Sequence, residues 1–114
     1  MSRLKPPPWT PNCVSSRAAR DHRAYIEPLP VPPGGLDQAV ALATAMEGAS
    51  LRERDGNWAH LVYVTRIMRY RDDLELELDG DVLHVRSASR LGYGDGGLNR
   101  KRVEALRALL LEAE

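Results

Sequence analysis

A single cysteine, Cys13, stands in the 114 residues, which excludes an internal disulfide and a cysteine-based metal framework. Net charge is also missing: Lys+Arg and Asp+Glu number 16 each. A zero balance argues against a general binder of nucleic acid or of anionic membranes, which carries a basic excess. No apolar run approaches the ~20 residues of a membrane span. The opening Met1-Ser2-Arg3-Leu4-Lys5-Pro6 has charges with no apolar stretch after them, so it does not read as a signal peptide. No proline follows residue 33, and no internal repeat is visible. These absences leave the expectation of one small, soluble, cytoplasmic domain.

What is present divides the chain into three stretches. All eight prolines (Pro6, Pro7, Pro8, Pro11, Pro28, Pro30, Pro32, Pro33) lie at the start. Proline fixes φ and removes a donor, so this stretch should be extended or looped. Residues 1–10 read as an extended tail and 11–114 as the domain. Trp9, Cys13, Val14, Tyr25, Ile26 and Leu29 give the proline-rich part apolar anchors, and Arg23–Leu29 is expected to be extended, as an edge strand. After Pro33-Gly34-Gly35 a helix is expected, with Asp37 as its N-cap, Leu36, Val40, Ala43 and Met46 as its buried stripe, and Gly48 as its stop.

The middle of the chain reads as strands: Leu51–Asp55, Trp58–Ile67, Leu74–Asp79 and Val82–Ser87. Leu74, Leu76 and Leu78 alternate with Glu75, Glu77 and Asp79, and Asp79-Gly80 marks a tight hairpin. A two-residue loop puts those leucines on one face with Leu83, Val85 and Ser87. It puts Glu75 and Glu77 opposite Arg86 and His84 on the other. A glycine-rich loop, Gly92 to Gly97, precedes a last helix capped by Asn99, with Val103, Leu106, Leu109, Leu110 and Ala113 as its stripe. The expected fold is α+β: a single antiparallel sheet with two helices packed on one face and an extended Pro-rich N-terminal segment.

Charge placement breaks a local rule. Arg100, Lys101 and Arg102 occupy the first turn of the last helix, where the helix dipole disfavours cations. Arg86-Ser87-Ala88-Ser89-Arg90 lies just upstream. Guanidinium forks, hydroxyls and free amides within one stretch are the groups an oxyanion needs. Arg86, Ser87, Ser89, Arg90, Asn99 and Arg100 are therefore the candidate pocket for a phosphate, sulfate or carboxylate. On a strand Arg86 and Arg90 take one side and Ser87 and Ser89 the other, so the strand must twist or end near Ala88 for all to meet. The competing reading pairs these arginines with Asp72, Asp73, Asp95 or Glu104. The glycine spacing matches neither a phosphate loop nor a dinucleotide fingerprint. Fourteen arginines against two lysines suit bidentate recognition, and equally reflect a GC-rich genome. Three histidines without ligand spacing define no metal site, and no cofactor is expected.

Four blocks recur in order: Pro11-Asn12-Cys13-Val14-Ser15-Ser16, Asp72-Asp73-Leu74-Glu75, Val85 to Tyr93, and Asn99 to Arg107. In these the chain resembles the bacterial and plastid family called domain of unknown function 1499, over nearly its whole length from Pro11. The resemblance implies that the Cys13, Arg86–Arg90 and Asn99–Arg102 blocks belong to one design. It implies no activity. Relatives carry export or lipoprotein signals, which this chain's start does not resemble.

Three readings stay open. The first is a binding module for a small anionic ligand, with Asn12, Cys13, Ser15, Ser16 and His22 as the second wall of the pocket. The second is an enzyme on a small anionic substrate, with Cys13 or His22 as the reactive group. The third is a structural or protein-interaction domain whose arginines form salt bridges. No nucleic-acid partner is expected.

Overall fold

A computed structural model describes residues 2–113. Its elements are β1 (Cys13–Ser15), α1 (Gly35–Thr44), β2 (Ala49–Asp55), β3 (Trp58–Val64), β4 (Arg71–Asp79), β5 (Val82–Ser89) and α2 (Leu98–Glu112). The strands form one five-stranded antiparallel sheet in the order β1-β5-β4-β3-β2. This is the α+β arrangement read from the sequence. Strands β2 to β5 form a meander, in which each pairs with its chain neighbour. β1, first in the chain, adds to the free edge of β5.

Alternation sets the register of the central hairpin. Leu74, Leu76 and Leu78 face Ser87, Val85 and Leu83, while Glu75 and Glu77 face Arg86 and His84. Gly80, at φ 63°, supplies the left-handed turn residue between Asp79 and its partner Val82. The apolar face meets both helices. Leu36, Ala39, Val40 and Ala43 of α1 and Val103, Leu106 and Leu110 of α2 bury against Leu61, Leu74, Leu76, Leu83 and Val85. Ala39 and Ala43 let α1 lie close to the sheet, so the buried Tyr63 hydroxyl reaches the Ala43 carbonyl at 2.7 Å. Gly48 turns the chain from α1 into β2 at φ 79°; a Cβ there would sit 2.5 Å from the Val64 carbonyl oxygen.

The other face of the sheet is covered by the start of the chain. Ser2 Oγ and the Arg3 amide each donate to Glu77 at 2.8 Å, and Arg86 Nε donates to the Lys5 carbonyl at 3.0 Å. The Arg3 guanidinium lies 3.7 Å from the centre of the Trp58 ring, and Leu4 is buried.

Several boundaries differ from the sequence reading. The edge strand is Cys13–Ser15. Arg23–Leu29 contributes only single bridges, Tyr25 to Ser15 and Leu29 to Leu83, because Pro28 and Pro30 leave no amides for a ladder. Strand β3 stops at Val64, where Thr65 begins a closed loop, and β2 starts two residues early, at Ala49. Gly34, not Asp37, sits at the N-cap of α1; Asp37 lies in its first turn and pairs with Arg54. Gly97, not Asn99, flanks the start of α2.

Candidate functional site

The six residues of the expected oxyanion pocket divide between the two faces of the sheet. Arg86 projects to the face opposite the helices, beside Glu75 at 4.0 Å and the Lys5 carbonyl. Arg90 turns to that side as well and grips Asp73 with two hydrogen bonds of 2.9 Å. Ser87, Ser89 and Asn99 meet on the helix side. Arg100 stands apart and donates to the Arg23 and Tyr25 carbonyls at 3.1 and 3.0 Å. Strand alternation past Ala88 keeps the guanidinium groups and the hydroxyls on opposite sides.

On the helix side the polar groups close on one another. Asn99 is fully buried. Its Oδ1 accepts from Ser87 Oγ at 2.6 Å and from Arg102 Nη1 at 3.0 Å. Its Nδ2 faces Ser89 Oγ at 2.9 Å, Asp95 Oδ2 at 2.7 Å and the Asn12 carbonyl at 3.2 Å. The Asn12 amide in turn donates to the Ser89 and Gly92 carbonyls. One side chain thus ties β1, β5, the glycine-rich loop and α2 together, with every donor and acceptor of its amide engaged.

The cationic first turn of α2 has local solutions. Asp95 caps the helix, accepting from the Gly97 amide at 2.9 Å and the Asn99 amide at 3.2 Å. Burial raises its carboxyl, but the Asn99 side chain and these amides outweigh that and hold it below the usual carboxylate value. Arg102 turns inward, 2.8 Å from Asp72 Oδ2, with its guanidinium 4.7 Å from the Tyr63 ring centre. The two charges are close, yet no N–H points along the line to Oδ2, which takes no directed hydrogen bond among the described residues. Sequence reading placed Arg102 in the first turn of the last helix without distinguishing it from Arg100 and Lys101, which are exposed. Its burial was signalled only by Asp72, which the pairing of β4 with β5 sets opposite Ser89.

The proposed second wall is partly assembled. Asn12 joins the Asn99 network. Cys13 pairs with Ala88 and is buried, and a cleft of about 240 Å³ beside it is lined by Arg23, Asp95 and Arg100. Burial pushes the Cys13 thiol up from its ordinary value, against the pull of Arg86. Ser15 Oγ accepts the Arg17 amide, and His22 Nδ1 accepts the Ala24 amide, both within their own turns. Ser16 Oγ lies 2.8 Å from His84 Nδ1, but it also accepts the Val85 amide, and Ser16 is buried in the turn that follows β1. Burial, with Arg17 adding to it, lowers the His84 value. For Cys13 the expected outcome is slow modification. A disulfide reagent at neutral pH should react with the folded protein at least about a hundredfold more slowly than with the urea-unfolded chain, because the thiolate is both disfavoured and covered. Rates within a factor of a few would show instead a reactive, accessible thiol.

A second cleft, of about 320 Å³, opens at the end of the sheet where β3 joins β4 and β5 leaves for α2. Tyr70, Leu91 and Leu98 form its apolar rim, with Asp72, Ser89 and Asp95 on its floor. The β3–β4 loop is held shut: the Thr65 amide donates to the Tyr70 carbonyl at 2.9 Å, the Arg69 amide to the Thr65 carbonyl at 3.0 Å, and the Tyr70 amide to Thr65 Oγ1 at 2.8 Å. Trp9 meets Tyr93 edge to face at 5.7 Å on the far side of the glycine-rich loop.

No curated protein matches the chain in sequence. A family model described as "Protein of unknown function (DUF1499)" matches residues 3–110, nearly the whole chain, in agreement with the blocks read from the sequence. With the match running from the segment that covers the sheet to the last turns of α2, the chain belongs to the DUF1499 family.

Proposed function

We propose that the domain is an interaction module whose arginines serve as internal fasteners, in preference to a pocket for a free anion or an enzyme. The observation that carries this reading is where the guanidinium groups end. Arg17 binds Glu77 and Asp79, Arg90 binds Asp73, and Arg102 binds Asp72. Arg86, Arg100 and Arg107 donate to backbone carbonyls of residues 5, 23, 25, 27 and 28, which latch the proline-rich segment onto the body. A segment rich in proline makes few ladder bonds of its own, so side-chain donors must hold it.

Melting curves with phosphate or sulfate test this against the anion-binding alternative. At matched ionic strength neither ion should raise Tm in a saturable way, as a ligand of the native state would. Arg100→Ala should lower Tm by roughly 3–8 °C in buffer free of both ions, because the latch on Arg23 and Tyr25 is lost. A saturable gain with phosphate that Arg100→Ala abolishes, with little change in the ion-free Tm, would overturn the proposal in favour of an oxyanion pocket.

A further inference from the structure

Charge and apolar surface are segregated along the sheet in a way the zero net charge conceals. Nine large hydrophobic side chains stand exposed among the described residues, and seven of them (Trp9, Ile67, Met68, Tyr70, Leu91, Tyr93 and Leu98) lie at the end that holds the β3–β4 loop. Ile67 and Met68 form the tip, 86% and 63% exposed. The loop reads Arg66-Ile67-Met68-Arg69-Tyr70-Arg71, with three exposed arginines and no acid. Lys101, on the exposed side of the first turn of α2, joins Arg66 along the neighbouring cleft, where Glu47 is the acid that accompanies them. The nearby aspartates are engaged: Asp72 with Arg102, Asp73 with Arg90, and Asp95 with the start of α2. At the opposite end the turns carry Asp55, Asp79 and Asp81, with Arg3 on Asp55 and Arg17 on Asp79, so that acids and bases alternate there, whereas the β3–β4 loop is basic alone. The tip is also strained. Arg69 has φ 60°, the one positive value at a non-glycine among the described residues. Its loop is nevertheless closed by the three Thr65 hydrogen bonds, so the apolar side chains are held outward by an ordered turn.

From this juxtaposition we propose that the loop end docks on an anionic lipid surface, with Ile67 and Met68 entering the acyl boundary and Arg66, Arg69, Arg71 and Lys101 meeting the headgroups. Apolar residues at an apex, ringed by arginines, match the layering of a bilayer surface, where apolar atoms enter and cations stay at headgroup level. Tyr70, two residues after Met68 and 52% exposed, adjoins the tip, and amphipathic rings favour the headgroup depth. The site names a partner for the interaction module proposed above and rests on that reading.

Flotation with vesicles of phosphatidylglycerol and phosphatidylcholine in equal parts tests it, with pure phosphatidylcholine as the neutral control. The protein should float with the anionic vesicles at 50 mM salt, weaken at least tenfold by 500 mM, and stay unbound to the neutral ones. Arg66→Gln with Arg71→Gln should reduce partitioning by about fivefold for each arginine removed. Ile67→Ser with Met68→Ser should also abolish flotation with no loss of Tm, since both side chains lie outside the core. Leu111→Ser, an exposed apolar residue near the end of α2, should change nothing. A protein that stays with the bulk solution beside anionic vesicles, or one whose binding survives the Ile67/Met68 change, overturns the proposal. Soluble phosphate in the melting experiment remains a separate readout, so failure here with no phosphate effect there leaves the interaction-module reading in place and removes only the lipid partner.

Discussion

Arg102→Met should destabilise the domain by about 3–5 kcal/mol, a drop in Tm of roughly 10–20 °C. The cause lies more in what remains than in what is lost. Asp72 is buried to 1% exposure, and Arg102 is the cation 2.8 Å from it. With the guanidinium gone, the carboxylate keeps its desolvation cost and loses the charge that offset it, and Asn99 loses a donor. The double variant Arg102→Met with Asp72→Leu should recover most of the loss, because two apolar side chains of similar volume replace an ion pair that is close but poorly directed. Chemical denaturation of the wild type, both single variants and the double variant gives the coupling energy directly. A double variant no more stable than Arg102→Met alone would show that Arg102 acts through Tyr63 and Asn99, independently of Asp72.

That pair also marks where reading the sequence stops. The hairpin of β4 and β5 was legible because its leucines and carboxylates alternate without interruption, and a period of two fixes both faces at once. The stripe of α2 was legible for the same reason at a period of 3.6, though Leu109 is only partly covered and Arg102 takes a buried place beside Val103. Alternation also warned that Arg86 and Arg90 would part from Ser87 and Ser89. The N-caps were less legible. Asn99 has the chemistry of a cap, but its amide is more strongly used in the interior, and Asp95 does the capping from four residues upstream. The start of the chain was hardest, because its anchors act through carbonyls that accept from distant arginines, and a carbonyl leaves no trace in a sequence. The loop end was in plain view as Arg66-Ile67-Met68-Arg69-Tyr70-Arg71, but reading Ile67 as the end of a strand hid its exposure.

Leu76→Asp and Val85→Asp should each leave the chain unfolded at pH 7 and 25 °C. Leu76 sits at the centre of the sheet, paired with Ala59 on one side and Val85 on the other, and all three are fully buried beneath the helices. The cluster around them is apolar: Leu61, Leu74, Leu83, Val103, Leu106 and Leu110 among the described residues. The cost of an unpaired buried charge together with the lost leucine contact is several kcal/mol, against a total stability of about 5–15 kcal/mol for a domain of this kind. Leu91→Asp makes the same chemical change at a residue 77% exposed and should leave the melt within a degree or two of wild type. The sign of the pH response separates a buried charge from simple loss of packing. In the folded state the new carboxyl would have its value raised above the unfolded ~3.9, so the folded form holds its proton more tightly. The penalty is then full above the raised value and shrinks as pH falls towards the unfolded one. Circular dichroism at pH 7 and pH 5 should therefore show Leu76→Asp regaining structure on acidification. A Leu76→Asp melt that matches wild type at pH 7 would mean that β4 does not face the helices as described.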